Sequence, residues 1–165
     1  MIYFKISQDL DASGSIRLTG ENNIGGYHEA RSGDLTRLDN AIVSLVDYNS
    51  LKNCPDILDR QLYMVRGAVK QVFDIFMPSI EYKHCVFTER DGESHEQYYI
   101  PMLEVLNVNE ALQAMEQHRP FFRVVVSRER VVVVSLEVVE AMLRRNPVGI
   151  KIDVINKNDI TQGVT

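Results

Sequence analysis

A chain of 165 residues, 45% hydrophobic and 25% charged, has the composition of a globular domain and fits a single one. Its net charge of −5 and pI near 5.4 argue against a basic track for nucleic acid and suit, if any macromolecule, a basic one. No apolar run approaches the ~20 residues of a membrane span, and "MIYFKISQDLDASG" is not a secretory signal, so the sequence predicts a cytoplasmic address away from membranes.

The first element is a strand, "IYFKI", with Ile2, Phe4 and Ile6 on one face. Residues 7–40 hold five of the nine glycines among Ser, Asn and Asp, and read as loops with short hairpin strands, "SIRLTG" among them, rather than helix. "AIVSLVDY" fits strand or helix, with a slight preference for strand. In "PDILDRQLYMVRGAVKQVFDIF" the apolar residues Leu58, Leu62, Val65, Val69, Val72 and Phe76 recur at steps of four and three. That spacing predicts one long core helix, with Pro55, Asp56 and Asp59 in its first turns, Gly67 at a kink or close crossing, and Pro78 beyond its end. "SIEYKHCVFTERDGESHEQYYIPMLEV" reads as a hairpin about Asp91-Gly92. "NVNEALQAMEQH" is a short helix capped by Asn107 or Asn109, with Val108, Leu112 and Met115 inward.

Residues 121–155, "FFRVVVSRERVVVVSLEVVEAMLRRNPVGIKIDVI", carry the strongest pattern. Two strands, Phe122 to Val126 and Val131 to Val134, are joined across "SRER", and the second is apolar enough to be covered on both faces. Ser135 suits a helix cap, Leu136, Val139, Met142 and Leu143 form the predicted inner face, and Glu140 can pair with Arg144. Pro147 ends that helix, and Gly149 turns the chain into a last strand. The fold class expected is α+β: a mixed, largely antiparallel sheet packed against two to three helices. One domain spans 1–165, with a loop-rich 1–79 holding one long helix, a better-patterned 80–155, and a loose tail at 156–165.

The chemistry-bearing residues form no recognisable site. His84, Cys85, His95 and Glu96 share the hairpin, but a loop at Asp91-Gly92 sets His84 opposite Tyr99 and His95 opposite Thr88. The histidines then stand about 13 Å apart, whereas zinc ligands share one centre at about 2 Å. Asp91, Glu93 and Glu96 have neither the spacing of a calcium loop nor the opposed placement of catalytic carboxylates. There is no nucleophile elbow and no glycine-rich phosphate loop. Cys54 and Cys85 stand alone, as buried small hydrophobes do. No catalytic residue, metal site or cofactor is expected.

The pattern Phe122-Arg123, Val131 to Val134, Ser135, Gly149 and Ile150 to Val154 resembles a family of bacterial immunity proteins encoded beside polymorphic toxins. Pro147-Val148 stands where the family's pattern has a polar residue. The likeness covers residues 121–155, extends loosely from Ile80 onward, and leaves 1–79 aside. It implies a protein that binds and silences a cognate toxin. An acidic surface suits a toxin with a basic surface, and contacts are expected in residues 20–40 and at the hairpin tip, with Asp34, Asp91, Glu93 and Glu96 as candidates. Two other readings stay open: an interaction or regulatory module of another system, including a homo-oligomer, and a small enzyme with dispersed acid–base residues around His84, His95 and Glu96.

Overall fold

The computed structural model describes residues 1–11 and 16–162. The described residues form an α+β fold, and their strands divide between two five-stranded sheets where the sequence suggested one. The first sheet contains β1 (Tyr3–Gln8), β7 (Val105–Leu106), β8 (Phe121–Val126), β9 (Glu129–Ser135) and β10 (Ile150–Ile155), in the order β10-β1-β9-β8-β7. The second contains β2 (Ala41–Val46), β3 (Ile57–Leu58), β4 (Met64–Val65), β5 (Tyr82–Glu89) and β6 (His95–Pro101), in the order β2-β5-β6-β4-β3. Each sheet is antiparallel except for one parallel pair at an edge, β7 on β8 and β2 on β5.

The valine-rich stretch makes the first sheet's central strands. Phe121, Val132, Val134 and Ile6 face one way; Phe122, Val124, Val131, Val133 and Tyr3 face the other. Both faces are covered, which is why β9 shows no alternation. Its hairpin closes through Ser127-Arg128, both at positive φ (48° and 68°), in the twist that two-residue hairpins favour. Helices α3 (Val108–Glu116) and α5 (Lys157–Gln162) pack on the Tyr3 face, and α2 (Gly67–Phe76) and α4 (Leu136–Leu143) on the Ile6 face. Asn107 caps α3 in a reciprocal box with Glu110. Glu140 and Arg144 pair at 3.8 Å, as their spacing predicts. The inner face of α4 is Val138, Val139 and Met142, while Leu136 and Leu143 are exposed. In α3, likewise, Ala111, Ala114 and Met115 are the buried residues, and Val108 and Leu112 lie at the margin.

Three expectations are corrected. The long helix over 55–78 is shorter: α2 starts at Gly67, and residues 57–65 form the small hairpin of β3 and β4. Ile57, Leu58, Leu62, Tyr63, Met64 and Val65 are all buried, so tertiary packing hides every apolar position, including those a helix stripe leaves outside. The tail is not loose over 157–162, because Ile160 of α5 is fully buried under the first sheet. The glycine-rich segment contains α1 (Tyr27–Arg31) and a 3-10 turn at Glu21–Asn23; beyond the end of β1 at Gln8 no strand forms over its described residues, and Ser15 of "SIRLTG" lies outside them. Gly26 starts α1 at φ 71°, where a Cβ would collide with the Arg37 carbonyl. This segment is therefore a lid: Ile16, Leu18, Tyr27, Ala30, Leu35 and Leu38 cover one face of the second sheet.

Among the described residues, no helix is long and apolar enough to cross a membrane.

Candidate functional site

The lid leaves the second sheet asymmetric. On its covered face lie Ile42, Val46, Cys85, Phe87, Tyr98 and Ile100. On the other, register places Ala41 beside His84, Val43 beside Val86 and Leu45 beside Thr88, and continues to Tyr99, Gln97 and His95 of β6. Val43 and Leu45 are 70% and 50% exposed, although the alternation of "AIVSLV" is that of a half-buried strand. Helix α2 reaches only the far end of this face, where Lys70 sits over the rings of Tyr82 and Tyr99 at 4.7 and 4.6 Å. The rest is an open, partly apolar sheet surface.

Beyond Val46 and Glu89 the strands end in an acidic rim. Asp47 and Arg90 form an exposed pair at 3.3 Å, and Tyr48 beside them is 72% exposed. A groove of about 490 Å³ separates the 48–52 segment from the hairpin end, with Glu89, Asp91, Glu93 and Glu96 facing a single lysine, Lys52. The hairpin register is the one the sequence gives, with His84 opposite Tyr99 and Thr88 opposite His95.

Of the four predicted contact residues, Asp91, Glu93 and Glu96 line one groove and Asp34 lies outside it. Asp91 and Glu93 share the exposed tip, where Asp91 Oδ1 accepts the Glu93 N–H at 3.0 Å. Glu96 lines the same groove but is bound by Arg66 at 2.6 Å, in a chain that runs on to buried Asp56 at 3.4 Å. Asp34 is not among the groove residues; it caps the turn after α1, and the hydroxyl and N–H of Thr36 hold its carboxyl below the usual range. Sequence reasoning missed Val43, Leu45 and Tyr48. Strand alternation shows that two faces differ and leaves open whether the second is covered.

No nucleophile–base arrangement emerges around these groups. His84 Nδ1 is 3.0 Å from the Gln97 amide and its ring meets Tyr99 edge-on, a packed surface histidine. Cys54 and Cys85 are free and buried, and burial pushes the Cys85 thiol up to about 12. Among the described residues, no cluster of three or more His, Cys, Asp or Glu is placed to hold a metal ion. The arrangement offers area, apolar contact and negative charge. No protein-family model, characterised protein or solved structure matches this chain.

Proposed function

We propose that the chain is a partner-binding protein without chemistry of its own, an immunity protein that neutralises a cognate bacterial toxin in the cytoplasm. The observations that support this reading are the open face of the second sheet, where Val43 and Leu45 are exposed, and the end of the same sheet, where exposed Tyr48 lines a groove with the acids Asp91 and Glu93. Apolar residues with an aromatic anchor supply contact energy, and the surrounding negative charge selects and steers a basic partner. The resemblance of residues 121–155 to immunity proteins fits a division of labour, with the first sheet as scaffold and the second as contact surface.

Co-expression with the product of the adjacent upstream gene tests the reading. The wild-type chain should restore growth and co-purify with that product. Val43→Lys with Leu45→Lys should abolish protection while leaving the thermal midpoint unchanged, because both side chains are exposed. Asp91→Lys with Glu93→Lys should slow association most at low salt. A toxic neighbour that this chain neither binds nor counters defeats the proposal, as does self-association through the same face.

A further inference from the structure

A second feature lies apart from the acidic groove and shares no residue with it. A cavity of about 380 Å³ opens between β1, the 59–63 loop, the end of α1 and the β8–β9 hairpin. Its lining includes five cations, Lys5, Arg31, Arg60, Arg123 and Arg130, and two carboxylates, Asp59 and Glu129. In a chain of net charge −5 this is a local inversion of sign.

Among the described residues, neither carboxylate forms an ion pair with Arg123 or Arg130; the charges that act on Asp59 are those of Lys5, Glu129 and Arg60. Glu129 is occupied by Lys5 at 3.0 Å. Asp59 accepts the Gln8 N–H at 3.0 Å, and burial raises its pKa. Arg130 donates to the Arg31 carbonyl oxygen at 2.9 Å, a neutral acceptor. Arg123 is the decisive group. It projects from β8 on the core face, only 8% exposed, with Ile6 and Val132 as its row neighbours in the sheet. Its Nε–H has no acceptor, and neither does the buried hydroxyl of Tyr63, which lines the same cavity from the 59–63 loop; no other described side-chain N or O is buried without a partner. The register puts Arg123 and Arg130 on the same face of the β8–β9 hairpin, both lining the cavity, and burial, then the charge of Arg130, lower the Arg123 pKa. Buried arginines are ordinarily matched by an anion, and stranded donors by an acceptor.

We propose that this cavity binds the phosphate group of a small phosphorylated metabolite, with Arg123, Arg130 and Tyr63 as donors and Arg60 at the mouth. A dianion compensates two neighbouring guanidiniums where a single carboxylate does not, and a tetrahedral group can accept from the hairpin's arginines and from Tyr63 of the 59–63 loop together. The planar fork of arginine suits phosphate oxygens in particular. The cavity volume matches that of small-ligand pockets. The site is independent of the docking face, and its ligand would be a second input to a protein read otherwise as a binder.

The test is a titration of the full ¹⁵N-labelled chain at constant ionic strength with inorganic phosphate, with ribose 5-phosphate, and with acetate. Phosphate should give saturable amide shifts centred on Tyr63, Arg123 and Val132, with a dissociation constant of about 1 mM or tighter, and should raise the thermal midpoint. Tighter binding of the sugar phosphate extends the site to the rest of the ligand; equal binding confines it to the phosphate. Arg123→Gln should weaken binding roughly tenfold or more. Tyr63→Phe and the exposed Arg60→Gln, which keep the fold, should each weaken it several-fold, so the test does not depend on Arg123→Gln folding. No saturation up to about 50 mM of either phosphate, shifts centred elsewhere, acetate binding as tightly as phosphate, or undiminished binding in Tyr63→Phe and Arg60→Gln would overturn the proposal.

Discussion

Single residues show where this sequence speaks for itself. Cys54 and Cys85 read as small buried hydrophobes, and both are buried and free. Burial raises both thiols, Cys85 from 9.0 to about 12. Below about pH 8 both folded and unfolded Cys85 are neutral and contribute no pH dependence. As pH rises past 9 only the unfolded thiol releases its proton, so stability falls through the window from 9 to 12. At pH 8 an alkylating reagent should label both cysteines fast in denaturant and far more slowly in buffer. Rapid stoichiometric labelling of the native protein would contradict their placement. Charged residues are less legible. Asp56 and Asp59 look like helix N-terminal acids, yet Asp56 accepts from Val148 N–H and Asp59 from Gln8 N–H. A buried carboxylate is defined by donors distant in the chain, and local sequence does not name them. Arg123 escaped notice as a site residue for the same reason: "FFRVVV" reads as scaffold, and its position against Tyr63 and Arg130 exists only after folding.

Elements were legible where two signals agreed. The β5–β6 hairpin joins alternation to Asp-Gly, and its register follows residue for residue. Residues 55–78 had only one signal. Steps of four and three fit a helix stripe, and they also fit a hairpin buried on all sides that runs into a helix. Gly67 marks the boundary. Its φ is +50°, and a Cβ there would stand 2.6 Å from Asp56 Oδ1, whose residue is 4% exposed. Asp56 also links the main chain at Arg66 and Val148, so displacing it loosens β3, β4 and the turn before β10 together. Gly67→Ala should therefore cost about 2 kcal/mol, measured by chemical denaturation. In a plain mid-helix position the same change would stabilise, so the sign of the effect separates the two assignments.

At the scale of the molecule, one shared core joins the two sheets. Ile6, Phe121, Val132 and Val134 of the first meet Ile57 and Val65 of the second through Val69, Val72 and Phe73 of α2. The rings of Phe73 and Phe121 stack with centroids 4.2 Å apart and an interplanar angle of 12°. Phe73→Ala should cost about 3–5 kcal/mol, and a single unfolding transition should shift as a whole. Two separated transitions would show that the sheets melt independently. The α+β class was legible in the alternation of patterns. The division into two sheets was not, because β3, β4 and β7 are two residues each, too short to leave a period. The open face of the second sheet was equally hidden, since it depends on which side the lid chose.

The placement of β1 also sets an order of events. It lies between β9 and β10, so its partners are residues 132–135 and 150–155. During synthesis Tyr3 and Ile6 emerge well before either partner strand, while the hairpin of β5 and β6 pairs locally as it appears. Closure of the first sheet is thus deferred until residue 155 has left the ribosome, and until then the nascent chain carries an unmatched strand.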